Sequence, residues 1–396
     1  SNSNNTGVGK NALFSITTGG TNNVMGSAAA DALTTGSGNV MIGHAAGTNT
    51  TDVDNTVIIG KDAGIADMTD AADGTIAIGK SALGALTSGA RNVAIGYQAM
   101  DSLTQGDDNI GIGVDALGSM AATNGNDRNL AIGSYALANA GASSNVAADN
   151  IAIGYSAGVQ ITTGDSNMAI GASAGAAITT GSYNTMVGKA AGTALVNGVS
   201  NVAVGFEAFK TANADEEHNV CIGKFAGDVI DGGSANVIIG STSDPSTAAA
   251  SNQIVLGYNA TGVANNSVTL GNADVTAVYM SSDSGATVHC GGLVIGDDSE
   301  LTISSGAITV TQGYHNVDTE SDASSDDLDT INGGATGEII ILRATDSART
   351  VVVKHQTGNI ALDGSADFSL THAWDRIMLV WHGDVWVQIG GGNNYA

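Results

Sequence analysis

With 396 residues the chain is longer than one compact core usually serves, so at least two structural units are expected. Glycine supplies 56 residues, proline one, and aromatics only 4%. That excludes a conventional core of bulky side chains and favours close-lying backbones over a thin interior of Ala, Val, Ile and Gly. Twelve Lys and Arg stand against 38 Asp and Glu, a formal charge of −26, which leaves no basic stripe for nucleic-acid phosphates.

Hydrophobic residues at 42% argue against disorder, and the acidity suits a soluble surface in salty or extracellular surroundings. No run of about 18 apolar residues marks a membrane span. The sequence opens on Ser1 inside a repeat with no signal peptide, so it reads as a piece of something longer. The cysteines are Cys221 and Cys290, too few for a disulfide framework. Cys221 stands where other repeats carry Ala and reads as a small buried thiol; a Cys221–Cys290 bridge is the other reading.

From the N-terminus to about residue 275 one unit recurs: Asn, apolar, small or apolar, branched apolar, Gly, two free positions, Ala. It reads NVAIGYQA at 92–99, NIAIGYSA at 150–157 and NVAVGFEA at 201–208. The motif glycine appears sixteen times from Gly9 to Gly271, among them Gly96, Gly113, Gly154, Gly171, Gly188 and Gly205, and ten of the fifteen intervals are 17 residues. A second glycine recurs seven places earlier, as in Gly89 and Gly164.

The alternation of Val93 and Ile95 predicts a short strand facing a core, with the small residue between them touching something on the other face. The motif glycine permits a positive φ or a close approach. Ala99, Ala157 and Ala208 leave room for a methyl group only. Thr-Thr-Gly spacers carry turn chemistry. A unit this short cannot bury its own apolar face, so stacking into a β-solenoid follows, with a shaft of roughly 75 Å at about 4.8 Å per coil. Asn92, Asn150 and Asn201 would then stack in register, either as an amide ladder or simply as turn initiators.

These units, with their Thr-Thr-Gly spacers, resemble the repeats of trimeric autotransporter adhesin heads and are similar to repeats in bacteriophage tail fibres. The resemblance covers about residues 1–275, although this repeat is longer than the adhesin unit. It implies a trimer of left-handed parallel β-rolls around a threefold axis, with a spacing or binding role and no catalysis. The thin core agrees independently, because three chains bury apolar faces that one cannot.

Residues 276–312 read as a β-rich connector. The acidic run 318–331 reads as a solvated linker ahead of a Ca²⁺ loop, since no calcium-binding spacing is present. Residues 313–396 offer strands at 338–343, 350–354, 359–362, 376–380 and 384–389, consistent with a small antiparallel β-sandwich. In the last of these, Val385, Val387 and Ile389 would face one side, with Trp386 and Gln388 on the other. The run WDRIMLVWHGDVWVQIGG at 374–391 resembles terminal domains of phage fibres.

All three tryptophans lie in this region. Trp374, Trp381 and Trp386, with His372, His382, Asp384 and Tyr395, form the candidate receptor site, because aromatic planes beside hydrogen-bonding groups suit sugars and protein hot spots. Trp386 reads first as core filling; Trp374 and Trp381, near strand ends, fit either role. His372, His382 and Asp384 match no dedicated metal motif. No cofactor is implied; a structural Ca²⁺ or an ion held by histidines on a threefold axis are the two ion sites weighed.

The expected function is therefore a non-enzymatic virion tail fibre, extracellular, whose C-terminal tip binds a host-surface glycan or protein. Its expected partners are two further copies of itself and other fibre or tail proteins upstream of Ser1, with neither nucleic acid nor membrane insertion. A bacterial trimeric surface adhesin is the alternative, and a polysaccharide-degrading spike a third reading. No Ser–His–Asp order, Cys–His pair or phosphate loop stands out to support catalysis.

Overall fold

A computed structural model describes residues 4–120, 125–141, 146–213, 215–275, 278, 295–296 and 299–392. The chain divides into two compact units, Ser1–Tyr279 and Met280–Ala396. The first is a parallel β-solenoid. Sixteen strands of three or four residues, from β1 (Thr6–Val8) to β16 (Ser267–Leu270), pair in sequence order into one all-parallel sheet. Pairing is in register: Val93 lies beside Ile110, Ala94 beside Gly111 and Ile95 beside Ile112.

The middle residue of each strand faces the chain's own interior. Ala94, Ala131, Ala152 and Ala203 are fully buried there, as is Ala three places past the motif glycine at Ala99, Ala157 and Ala208. Val93 and Ile95 point outwards instead and stay partly exposed, the reverse of the arrangement expected from their alternation. The reason is volume. The coil is so narrow that the inner strand residue and the residue four places past the motif glycine share one space. Ala77 faces Leu83, Ala94 faces Met100, and Ala203 faces Phe209, all buried. Opposite the larger strand residues Met41 and Cys221 the position is glycine: a Cβ on Gly47 would lie 2.6 Å from the Met41 sulfur, and one on Gly227 2.5 Å from the Cys221 sulfur. Cys221 is thus a buried, free thiol sized to its slot, and burial pushes its pKa up. Cys290 lies outside the described residues.

The asparagines form the amide ladder, the first of the two readings the sequence allowed. Each is buried, and its Oδ1 accepts from the backbone and side-chain N–H of the asparagine in the next coil. Asn201 donates to Asn184 at 3.0 and 3.1 Å, and Asn184 to Asn167 at 3.1 and 3.1 Å. The Nδ2 also reaches across to a carbonyl fourteen residues on, as Asn92 does to Gly106 at 2.7 Å. That bond explains the second glycine. A Cβ on Gly89 would overlap the Gly106 carbonyl oxygen and sit 3.0 Å from the Asn92 amide. A second ladder, which the sequence did not suggest, runs two places before the asparagines. The Asp107 carboxylate accepts from Ala90 N–H at 2.8 Å, and Asp127 from Asp107 N–H at 2.9 Å.

The second unit is mixed rather than antiparallel. Its strands are β17 (Ser299–Thr302), β18 (Ala307–Thr309), β19 (Tyr314–Asp318), β20 (Ser325–Leu328), β21 (Thr330–Asn332), β22 (Ile339–Ala344), β23 (Thr350–Val353), β24 (Ile360–Ala361), β25 (Phe368–Leu370), β26 (Arg376–Trp381) and β27 (Trp386–Gly392). One sheet has the order β17-β19-β22-β26-β27-β24; β20-β23-β25 and β18-β21 form two smaller ones. The pairs β17/β19, β19/β22, β18/β21, β20/β23 and β24/β27 are parallel.

The acidic run 318–331 is not a linker. It supplies β20 and part of β21, with Leu328 and Ile331 fully buried. Its charges are met by cations instead of water alone: Arg349 pairs with Asp318, and with Asp322 at 2.7 Å, while Lys354 approaches Asp327 at 3.8 Å.

Substitutions at two positions test this packing. Gly154 has φ +136°, and an added Cβ would lie 2.7 Å from the Gly171 carbonyl carbon and oxygen. Gly154→Ala is expected to cost about 1–3 kcal/mol from backbone strain alone, read as a lowered urea midpoint of the β-signal in circular dichroism. Asn184→Ala would strand the Asn201 amide and the Gly198 carbonyl and cost about 2–4 kcal/mol. Asn184→Thr should lose less, because Thr56 fills the same column and donates to Asn39 Oδ1 at 2.7 Å. Equal loss from both would show that the ladder does not carry the stability.

Candidate functional site

Two surfaces stand out, one on each unit. On the solenoid, the outward strand positions form two rows of branched apolar residues. Val57 and Ile59, Ile76 and Ile78, Ile151 and Ile153, and Val202 and Val204 are examples, each only partly covered by its own chain. Beside them, at the place after the motif glycine, stand Lys10, Lys61, Lys80, Lys189 and Lys224. Three of these lie over aromatic rings: Lys80 above Tyr97 at 5.5 Å, Lys189 above Phe206 at 5.9 Å and Lys224 above Phe225 at 4.9 Å. Most of the solenoid's few cations therefore flank the apolar rows.

On the second unit the turn between β25 and β26 is closed on a buried carboxylate. Asp375 Oδ2 accepts from the N–H of Thr371 at 2.9 Å, its hydroxyl at 3.0 Å and the N–H of His372 at 3.0 Å. Asp375 N–H donates back to the His372 carbonyl at 2.8 Å, and Arg376 Nη1 to the Trp374 carbonyl at 2.6 Å. The turn is thereby braced, and Trp374 projects from it 58% exposed. No family model, curated protein or solved structure matches the chain. Its chemistry has to be read from these surfaces alone.

The other sequence candidates separate. Trp386 is fully buried, donates Nε1 to the Ile331 carbonyl at 3.1 Å and packs on Gly334, where a Cβ would sit 2.6 Å from the ring. Ile389 is 51% exposed, so β27 puts its tryptophan inward and part of its aliphatic row outward. Trp381 is half-buried, its ring 5.2 Å from Trp386. It closes β26 whereas Trp374 precedes that strand, so extended backbone of about 20 Å separates the two. Those tryptophans cannot form one patch. His372 and His382 are held apart by the same strand, and among the described residues no three His, Cys, Asp or Glu are grouped to hold a metal. His382 and Asp384 are exposed in the β26–β27 turn. Tyr395 lies outside the described residues.

The sequence reading missed Asp375. Its only signal is an acidic residue wedged between an aromatic and a strand, in THAWDR. It also missed His315, which is fully buried on β19. His315 Nε2 accepts from the backbone N–H of Thr311 at 3.2 Å and Gln312 at 3.3 Å. The ring proton therefore sits on Nδ1, 2.6 Å from Ser299 Oγ. This pair is closed to nucleophilic catalysis, because the basic nitrogen that would deprotonate a serine faces two donors.

Burial lowers the His315 pKa from the ordinary 6.5, outweighing the opposing pull of the Gln312 backbone contact and Glu338. Below about pH 6.5 the unfolded chain takes up a proton that the folded unit refuses. Stability is thus full above that pH and falls as the pH drops towards the lowered value. The melting temperature followed by tryptophan fluorescence, which reports this unit, is expected to fall between pH 7 and pH 5. His315→Gln should flatten that slope. An unchanged slope would remove His315 as its cause.

Proposed function

We propose that this chain is the shaft and terminal domain of a homotrimeric extracellular fibre with no catalytic role. The observation that carries the reading is the pair of apolar rows on the outer face of the sixteen-stranded sheet. A soluble chain rarely leaves so long an apolar stripe in water. Fully burying one Val or Ile contributes about 1.5–3 kcal/mol, and these half-covered residues keep a substantial part of that in reserve. Summed along the shaft, the gain exceeds what association costs in lost freedom. Three copies turned face to face around one axis would cover every row with closed symmetry and no leftover edge.

The second unit is the attachment tip in this reading. The braced turn supports it: an exposed tryptophan on a backbone turn closed by a buried carboxylate costs little loop ordering on binding, which is what a hot spot for a host-surface glycan or protein needs. A folded unit following the repeat supports our reading of a phage tail fibre on the virion, with a bacterial surface adhesin as the alternative.

The test begins with mass. In light scattering the purified chain should weigh three times one chain. Ile153→Glu with Ile170→Glu, two outward positions, should return it to one chain mass while the β-signal persists. Trp374→Ala should leave mass and melting unchanged and weaken adsorption to host cells by at least tenfold. A wild-type monomer at micromolar concentration would sink the fibre reading. Undiminished adsorption by the Trp374 variant would sink the tip assignment alone.

A further inference from the structure

One stretch of the shaft departs from the smooth column pattern. Between Asp101 and Val159 a groove of about 440 Å³ opens along the side of four successive coils, and so runs about 14 Å along the shaft axis. Its residues occupy the second, fifth and sixth places past the motif glycines, a different part of the coil from the outward apolar rows. The groove exists because the fifth place, which carries Asp101 in one coil and Val159 in another, is Gly118 and Ala138 in the two between.

The chemistry of the walls is specific. On one side stand the Asp115 carboxylate and the ring of Tyr135, which is 40% exposed and steadied by an edge contact with Tyr155 at 6.0 Å. On the other stand the hydroxyls of Ser102 and Ser119 and the amide of Asn139, whose Nδ2 is held by Gln160 Oε1 at 3.3 Å. Asp101 lies at one end, where Gln98 Nε2 donates to it at 3.1 Å. Burial and then the nearby Asp115 push the Asp101 carboxyl up, so the pair favours hydrogen-bond donors over more negative charge.

No Lys, Arg or His lines the groove, which disfavours phosphate, sulfate or uronate ligands. Among the described residues no three-carboxylate or histidine group suits a metal here. A peptide adding itself as a strand would need an open sheet edge, and the groove is walled by side chains past the strands. A neutral sugar meets every requirement. Its apolar ring face suits the tyrosine, its hydroxyls donate to carboxylates and accept from serines, and the coil spacing of about 4.8 Å is close to the length of one pyranose unit.

We propose that the groove formed by Asp101, Asp115, Tyr135, Ser119 and Asn139 is a carbohydrate-binding site on the shaft, taking a neutral oligosaccharide of about three pyranose units laid along the axis. It is distinct from the tip and does not depend on the trimer or on Trp374.

The full chain is screened against immobilised neutral gluco-, galacto- and manno-configured oligosaccharides, and the best binder is then titrated by calorimetry. Three variants are compared. Ser119→Trp fills the groove from an exposed position; Tyr135→Asn removes the ring with a residue that tolerates its φ of +61°; Asp115→Asn is isosteric. Affinity should fall at least tenfold in the first two and measurably in the third, with melting temperatures unchanged, while Trp374→Ala binds as the wild type. The proposal is overturned if no neutral oligosaccharide binds. It is equally overturned if the groove variants bind normally, or if binding is lost with Trp374 instead.

Discussion

A column of buried amides sets the geometry of the shaft. From Asn92 to Asn219 each side-chain oxygen takes two hydrogens from the coil that follows, and from Asn92 to Asn236 each amide nitrogen reaches a carbonyl fourteen or more residues on. Buried polar groups cost several kcal/mol when stranded, so a slip of one residue anywhere would orphan a whole rung. The ladder therefore fixes both the spacing of coils and their in-register pairing. Asparagine gives way to threonine at Thr56, which still donates to Asn39 Oδ1, and at Thr75, and there the coil interval lengthens to 19 residues between Gly60 and Gly79. Glycine follows from the same demand, since the Asn92 amide reaches the Gly106 carbonyl only because Gly89 offers no Cβ in the way.

Once coils are that close, the interior has room for little. In most coils its filling is a trade between the inner strand residue and the residue four places past the motif glycine; where both are small, as at Ala152 and Gly158, Ile161 reaches into the space. That second position has positive φ even where it holds Leu83, Met100, Leu117 or Phe209. A bulky L-residue there is strained by about 1–2 kcal/mol. The strain is offset because the alternative is a cavity beside Ala77, Ala94, Gly111 or Ala203. The interior takes Ile58, Ile161, Ile178 and Ile238, and the first and third strand residues, such as Val93 and Ile95, are left partly exposed on the outer face.

Much of this was legible in the sequence. The period gave the solenoid, and the Gly, Ala and Asn positions gave its columns. Which side of the strand faced inward was not legible, because alternation marks two faces without saying which is enclosed; the answer lay in Gly47 and Leu83, five residues beyond each strand. The Asp107 and Asp127 ladder was hidden because acidic residues are abundant and its rungs alternate with serine, as at Ser37 and Ser182. In the second unit β22, β23, β24, β26 and β27 were legible as strands, whereas β19, β20, β21 and β25 were not, and parallel pairing between β19 and β22 depends on contacts distant in sequence. The acidic run read as solvated because Arg349 and Lys354, which neutralise it, lie more than twenty residues away. Trp374, Trp381 and Trp386 looked alike as letters. Only a register shift between Met378 and Leu379 and the depth of Trp386 told them apart.

A repeat of this kind leaves few places for recognition. Every residue in the ladder, the glycine columns and the inner row is committed to its neighbours above and below, and changing one is felt in three coils. Chemistry can vary only where a position faces water and no column needs it. The places just past the motif glycine meet that condition, and there the chain gathers its lysines and aromatic rings. The fifth and sixth places do so too, and there Gly118 and Ala138 open a hollow that Thr193 or Lys210 in other coils would fill. Departures from the pattern in a structure so regular are consequently the positions free of its packing demands, and those are where binding has room to arise.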